Sequence, residues 1–311
     1  MIALAFLAGI ALLYGGGELL VRAASAIGQK LHMSPLVAGL TIVAFATSAP
    51  ELAISAGAAI NDLPGLAIGN VIGSNICNLG LILGITAIIK PAPVRHTLVR
   101  RDVLVMAITT LLVPGLLLDG ELARIEGTLL VLAISAYIVL TVWHSRSTRS
   151  QRRADEHSVP KLSESMLLNL AFAVAGILLL VGGSQLFVDS SVAIAELIGV
   201  PAAVVGLSAA AFGSSLPELT ASIIAAKHGQ PEMAAGNLIG SNIFNLLMIL
   251  GVTSLIRPLE MRSVTNFDLG VMIGVSALAL ALMLTRARVG RGEGAVLVTI
   301  YSLYMVWLFV Q

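Results

Sequence analysis

Apolar residues run along this chain in long stretches that are separated by short polar segments. Ten of these stretches have roughly the 20-residue length of a helix that crosses a bilayer. They lie near residues 2–21, 33–60, 64–89, 102–118, 127–144, 165–188, 198–226, 233–256, 267–284 and 294–310. The second and seventh are interrupted by Pro50-Glu51 and Pro217-Glu218. The pattern therefore predicts an all-α membrane protein with ten transmembrane helices, of which helices 2 and 7 are broken.

The polar residues inside these stretches form motifs that occur twice. Residues 44–51 read AFATSAPE and residues 211–218 read AFGSSLPE, while residues 69–79 read GNVIGSNICNL and residues 236–246 read GNLIGSNIFNL. One offset of 167 positions relates all of these segments, and no gap lies between them. A duplicated apolar block with Pro-Glu at the same place in each copy is typical of membrane transporters built from repeats.

The basic residues predict how the two copies are oriented. Five predicted spans form an N-terminal repeat (1–144), a polar linker follows (145–164), and five more form a C-terminal repeat (165–311). Of the 18 Lys and Arg residues, Arg124, Arg257 and Arg262 fall on one side of the predicted membrane and the others on the opposite side. Basic loops are typically cytoplasmic, so we expect a cytoplasmic linker and both termini outside the cell (inner) membrane. An odd number of spans per half makes the repeat inverted.

Composition supports the membrane class and excludes several others. The chain is 57% hydrophobic and 11% charged, whereas soluble domains carry about 25% charged residues. A net charge of +1 does not indicate a nucleic-acid partner, and the single Cys77 excludes an internal disulfide. No Cys/His cluster suggests zinc. We expect the lipid bilayer as surroundings, no cofactor, no obligatory protein partner, and a first span that is retained rather than cleaved as a signal.

The chemistry centres on Glu51 and Glu218, one in each broken span. An ionised carboxylate in the middle of a span is unfavourable without a partner. Inversion of the repeat would bring the two acids to the same depth, facing each other. Two carboxylates close together without a cation would force one of them to protonate. The pair therefore predicts a site for metal ions or protons.

Neighbouring oxygen atoms fit a hard cation. Pro50 and Pro217 lack an amide hydrogen, which loosens preceding carbonyl groups such as those of Thr47 and Ser214. Irregular backbone at membrane depth is tolerated where it lines a cavity. Carbonyl and carboxylate oxygens together suit Ca2+ or Na+.

Hydroxyl and amide side chains recur at helical spacing around the acids. Spacings of three or four residues place them on shared helix faces. They are Thr47, Ser48, Ser214 and Ser215 beside the acids, and Ser74, Asn78, Ser241 and Asn245 in the following spans. The residues of the following spans either form interhelical hydrogen bonds or complete an oxygen cage. The pairs Gly69-xxx-Gly73 and Gly236-xxx-Gly240 are expected to let these spans approach the acidic spans closely.

These duplicated motifs resemble the alpha-repeats of the sodium/calcium exchanger family, within the cation/Ca2+ antiporter superfamily. The resemblance covers nearly the whole chain and is strongest to the short microbial members. It implies an antiporter, not an enzyme, that exchanges Na+ for Ca2+ by alternating access and extrudes Ca2+. It also implies that spans one and six slide as a pair to open one side at a time.

The resemblance further implies a ligand set. Ca2+ would be held by the carboxylates of Glu51 and Glu218 and by the carbonyls of Thr47 and Ser214. Two Na+ sites would flank the Ca2+ site. One would be near the Ala44 carbonyl with Ser48 and Ser241, and the other near the Ala211 carbonyl with Ser215 and Ser74. The side chains of Asn78 and Asn245 would line the middle of the site. Some members, including K+-dependent exchangers, carry Asp where this chain has Asn245. The Asn argues against K+ co-transport and leaves two acids, enough to neutralise one Ca2+.

Three other functions remain open from the residues. The carboxylates could alternate between protons and Ca2+ or another divalent cation, which makes a proton-coupled exchanger the main alternative. An intramembrane enzyme with Ser48 or Ser215 as nucleophile would need a base within reach, and no embedded His or Lys accompanies either serine. A passive channel is disfavoured by a pseudo-symmetric site between inverted halves, although only saturable counterflow would exclude it.

Overall fold

The computed structural model describes residues 2–93, 96–147, 162–197, 212–260, 264–285 and 288–310, and these residues are nearly all helical. The first half contains α1 (Ile2–Lys30), α2 (Pro35–Ala38), α3 (Ala44–Thr47), α4 (Ala49–Ile60), α5 (Pro64–Cys77), α6 (Leu83–Ile89), α7 (His96–Leu116) and α8 (Arg124–Ser147). The second half contains α9 (Met166–Leu197), α10 (Leu216–Lys227), α11 (Pro231–Phe244), α12 (Leu250–Ile256), α13 (Asn266–Thr285) and α14 (Arg291–Val310).

Three π-helical segments and two small sheets complete the described elements. The π segments Gly39–Val43, Asn78–Ile82 and Asn245–Ile249 join α2 to α3, α5 to α6 and α11 to α12, and a 3-10 turn at Leu117–Asp119 follows α7. The strands are β1 (Ala92–Pro93), β2 (Glu121–Leu122), β3 (Leu259–Glu260) and β4 (Arg288–Val289). β1 pairs antiparallel with β4, and β2 with β3. Each sheet therefore joins a strand of one half to a strand of the other.

The membrane class predicted from hydropathy is confirmed by helix length and composition. Within the described ranges, seven helices are long and apolar enough to cross a membrane, and they cover Ile2–Lys30, Pro64–Ile89, Arg101–Asp119, Arg124–Ser145, Met166–Ala195, Pro231–Ile256 and Asn266–Leu284. An eighth is the pair Pro35–Thr47 and Ala49–Ile60, bent by 44°. α10 and α14 overlap the seventh and tenth predicted spans. The count of ten and the inversion stay predictions.

Parts of three predictions fall outside the described residues. These are the start of the seventh span (198–211), most of the linker 145–164, and Ala211. Within the description, α1 continues to Lys30, well past the predicted end at residue 21. Arg22 lies within the helix, where arginine is well tolerated, and its guanidinium pairs with Glu18 one turn earlier, 2.5 Å away. α9 likewise continues to Leu197, past the predicted end at residue 188.

Glycines allow α1 and α9 to pack with their backbones in contact. A Cβ atom on Gly16 would lie 2.8 Å from the carbonyl oxygen of Gly176, and one on Gly183 would lie 2.7 Å from the amide nitrogen of Leu13. Small residues are what permit such close helix pairs in membranes. The first spans of the two halves are thus held against each other along their lengths.

The motif helices form the centre of the bundle. Of the most apolar 18-residue stretch, 72% is buried in Pro64–Ile89 and 78% in Pro231–Ile256, against 28–39% in the other long spans. The less buried helices expose large apolar side chains such as Leu129 and Leu178, as expected of surfaces that face lipid. The duplicated polar residues are therefore enclosed by protein rather than by lipid.

Candidate functional site

Both acidic residues lie in the first turn of a helix that begins directly after a break. Ser48 separates α3 from α4 with φ −82° and ψ 2°, and Ser215 precedes α10 with φ −90° and ψ 1°. These angles fall in the sparsely populated bridge region, which recurs in active sites. Pro50 and Pro217 occupy the first turn of the following helix, where a missing amide hydrogen has no intrahelical partner to lose. The break predicted at Pro50-Glu51 therefore lies slightly earlier, at Ser48.

The two carboxylates are buried and poorly satisfied. Glu51 is 1% exposed and Glu218 is 0% exposed. Neither oxygen of Glu51 accepts a hydrogen bond from any described residue, and the same is true of Glu218 Oε2. Glu218 Oε1 accepts one from the Ser48 hydroxyl at 3.3 Å. A buried charge without a partner costs several kcal/mol, and a bound cation is the partner that would satisfy both acids.

Asn78 and Asn245 occupy equivalent places, at the start of the π segments Asn78–Ile82 and Asn245–Ile249. Both side chains are buried, and within the described part of the chain neither amide oxygen nor amide nitrogen has a hydrogen-bond partner. Single π-helical turns are frequent at functional sites. Both amides, like three of the four carboxylate oxygens of Glu51 and Glu218, thus lack hydrogen-bond partners among the described residues, as a polar lining of the site would require.

The predicted hydroxyl residues are all buried, and some of them connect the halves. The set comprises Thr47, Ser48, Ser74, Ser214, Ser215 and Ser241. Ser48 contacts Glu218, and the Thr47 hydroxyl lies 3.4 Å from that of Ser241. The carbonyl of Ala44, a predicted Na+ ligand, accepts the amide hydrogen of Ser48 at 3.0 Å. The structure therefore brings the first helix break together with residues of the second half.

A small cleft lies beside the first break. Its lining is apolar except for Ser48 and consists of Phe45, Ser48, Ala49, Leu52, Phe244, Met248 and Ile249. Ser48 therefore links this cleft to the acidic pair through its bond to Glu218.

Two asparagines that the sequence reasoning did not select support the acidic residues. Asn70 Nδ2 donates to the backbone carbonyl of Glu51 at 3.2 Å and to the Ser55 hydroxyl at 2.9 Å. Asn237 Nδ2 donates to the carbonyl of Glu218 at 3.3 Å and to the Ser222 hydroxyl at 3.0 Å. The signal was present in the sequence, because both asparagines belong to the duplicated GNxIGSN motif.

The donor set suits a hard cation. Among the described residues, no group of three or more His, Cys, Asp or Glu side chains could hold a metal ion. A site at Glu51 and Glu218 would thus have two carboxylates and be completed by carbonyl, hydroxyl and amide oxygens. Ca2+ accepts such mixed oxygen ligands in flexible geometry, and the ion here would be a transported substrate.

Comparison with known proteins decides the family. The family model described as sodium/calcium exchanger protein matches residues 1–143 and 168–310. The chain belongs to the sodium/calcium exchanger family. The resemblance inferred from the motifs is thereby confirmed. The family consists of secondary transporters, so the expectation that this exchanger is not an enzyme is also confirmed.

Relatives and solved structures match this exchanger over nearly its full length. The putative antiporter CaxA of Alkalimonas amylolytica is 36% identical over 97% of both chains. The sodium/calcium exchanger MaX1 of Methanosarcina acetivorans is 34% identical over 98% of both. A structure of the sodium-calcium exchanger NCX_Mj, soaked with zero Na+ and Ca2+, matches with a TM-score of 0.84 at 32% identity and covers 99% of this chain and 100% of that one.

Proposed function

We propose that this exchanger moves Na+ and Ca2+ in opposite directions across the cell (inner) membrane by alternating access, and that it extrudes Ca2+. The observation that carries the proposal is the pair of buried carboxylates, Glu51 and Glu218, each placed directly after an equivalent helix break. Membership of the family supports the choice of ions, and so does the description of MaX1 and NCX_Mj as sodium/calcium exchangers. Both ions are then transported substrates, and the absence of a cofactor or protein partner stays a prediction.

The proposed ligands are those that the resemblance to the exchanger family implies. Ca2+ is held by the carboxylates of Glu51 and Glu218 and by the carbonyls of Thr47 and Ser214, which balances its charge. Na+ occupies two flanking positions. One is formed by the Ala44 carbonyl with Ser48 and Ser241, and the other by the Ala211 carbonyl with Ser215 and Ser74. The amides of Asn78 and Asn245 line the middle of the site. The contact of Ser48 with Glu218 supports a shared site. Exchange follows because both ions need the same acids.

The proposed topology has ten transmembrane helices in two inverted repeats, 1–144 and 165–311, with a cytoplasmic linker at 145–164 and both termini outside. The distribution of basic residues supports this orientation. The glycine contacts between α1 and α9 support a sliding pair, because they let the two backbones approach each other closely.

Ion-driven uptake tests the function directly. Purified protein in liposomes loaded with Na+ is diluted into Na+-free medium that contains Ca2+ tracer, with parallel liposomes that carry only a pH gradient. We expect uptake driven by the outward Na+ gradient, saturable with external Ca2+. Uptake driven by the pH gradient alone would instead identify a proton-coupled exchanger. Non-saturable uptake without counterflow would identify a channel.

The Asn245→Asp variant tests the predicted lining of the site. Asn245 is fully buried with an uncommitted amide. In the proposed site it lines the cation, so an added carboxylate there would change the charge available to cations. We expect altered ion preference or pH dependence, measured as uptake with Ca2+, Na+ and K+ over a range of pH. Unchanged preference and pH dependence would remove Asn245 from the site. Asn242→Asp in the same helix is the matched control, because that amide bonds the carbonyl of Leu238 within α11.

A further inference from the structure

Asn237 in α11 contacts both broken helices through one side chain. It is 1% exposed. Its amide nitrogen donates to the Glu218 carbonyl and to the Ser222 hydroxyl in α10, and its amide oxygen accepts from the Thr47 hydroxyl at the end of α3, at 3.2 Å. The Glu218 carbonyl can only accept a hydrogen bond, which fixes the orientation of the amide.

The equivalent residue of the first half, Asn70, makes the equivalents of only two of these three contacts. Its nitrogen bonds the Glu51 carbonyl and the Ser55 hydroxyl of its own half. The counterpart of Thr47 at the offset of 167 positions is Ser214, and in the described structure no hydrogen bond joins Ser214 to Asn70. Asn70 is also only half-buried, whereas Asn237 is enclosed. The repeat is therefore asymmetric at this position.

The position of Asn237 lets it act on both sets of ligands. Its nitrogen holds the first turn of α10, which carries Glu218, while its oxygen holds the segment whose Thr47 carbonyl is a proposed ligand. The backbone around it is closely packed, since a Cβ atom on Gly236 would lie 2.4 Å from the Leu36 carbonyl oxygen. A short, rigid link of this kind transmits a shift of one broken helix to the other.

We propose that Asn237 is a positioning residue that couples the two broken helices, so that the oxygen ligands of both halves reach a cation together. This inference rests on the proposed function, because it assumes that the ligands at Thr47 and Glu218 hold one ion. Asn237 acts through these two residues and touches no ion itself. Its loss should weaken Ca2+ binding more than it slows the turnover of loaded protein.

The test compares Asn237→Ala, Thr47→Val, Thr47→Ser and Asn70→Ala in the Na+-driven uptake assay. We expect Asn237→Ala and Thr47→Val each to raise the KM for Ca2+ about tenfold, with a smaller change in maximal rate, because each removes the bond between the halves. Thr47→Ser keeps the hydroxyl and should raise the KM less than Thr47→Val does. Asn70→Ala, the matched control, removes only contacts within one half and should raise the KM less than about threefold. Equal KM shifts for Asn70→Ala and Asn237→Ala would overturn the proposal.

A double-mutant cycle separates this inference from the proposed function. The wild type, Thr47→Val, Asn237→Ala and the double variant are unfolded thermally in detergent without any cation. Because both substitutions remove the same hydrogen bond, the double variant should lose less stability than the two single variants lose in sum. Additive losses would overturn the coupling, whether or not the wild type transports Ca2+. If Asn237→Ala does not fold, a KM for Thr47→Val that equals that of Thr47→Ser overturns it.

Discussion

Glu218→Gln is expected to abolish Ca2+ transport while folded protein remains in the membrane, and Glu51→Gln should do the same. Each substitution keeps the size of the side chain and removes one negative charge from a buried pair. Removing one carboxylate from a buried contact between carboxylate and cation costs about 2–5 kcal/mol, which would weaken Ca2+ binding about 30- to 5,000-fold. Na+-driven uptake of Ca2+ tracer into liposomes measures the loss.

Thermal unfolding in detergent distinguishes a lost site from a damaged fold. A cation that binds only the folded state raises the Tm by mass action, so Ca2+ should raise the Tm of the wild type but not of either variant. Without cations, the variants should be at least as stable as the wild type, since a neutral amide costs less to bury than an unpartnered carboxylate. Glu121→Gln is the control, because Glu121 is exposed in β2. Wild-type transport by Glu51→Gln or Glu218→Gln would show that the site is elsewhere.

The sequence could predict the residues of the site because duplication marks them. Glu51 and Glu218 stand out as acids in apolar stretches, and one offset relates them. The structure places both directly after equivalent breaks, as the repeated Pro-Glu pairs suggest. The exact break at Ser48 also follows from local chemistry, because proline is tolerated in the first turn of a helix but not in its interior.

Contacts between the halves could not be predicted from spacing. Ser48 and Glu218 are 170 positions apart, and Thr47 and Asn237 are 190 apart. Their approach depends on how the helices pack, which helical periodicity within one span does not define. The π segments at Asn78 and Asn245 are similar cases, because a shift of backbone hydrogen bonds leaves no mark in residue type.

The glycine motifs show that residue spacing also does not determine what each copy of a duplicated motif contacts. Gly236 and Gly240 approach the Leu36 and Leu40 carbonyl oxygens, at 2.4 Å and 2.6 Å from an ideal Cβ atom, so close packing is confirmed for the second copy. A Cβ atom on Gly73 in the first copy would meet no described atom within 4 Å. The two copies of the glycine motif thus have different packing neighbours, although their glycines have the same spacing.

Gly39→Ala should destabilise the protein and weaken cation binding together. A Cβ atom on Gly39 would lie 2.3 Å from the carbonyl oxygen of Met233 and 3.0 Å from its carbonyl carbon and Cα. These are backbone atoms, so the clash can be relieved only if α11 moves away from the segment Gly39–Val43. That movement would also separate Thr47 from Asn237 and Ser241, which lie on α11. Overpacking of this kind costs about 1–3 kcal/mol.

Thermal unfolding of the two alanine variants Gly39→Ala and Gly57→Ala is the measurement that tests this packing argument. Gly57 lies in α4 with Glu51, and a Cβ atom there meets no described atom within 4 Å. Alanine at an open helical position is favoured over glycine by up to about 1 kcal/mol, so Gly57→Ala should keep or raise the Tm. Gly39→Ala should lower the Tm and reduce the Tm shift caused by Ca2+.

If both variants unfold at the wild-type Tm, close approach of α11 to the first broken helix does not stabilise the protein. A lower Tm with an unchanged Ca2+ shift would separate the packing of α11 from the geometry of the site.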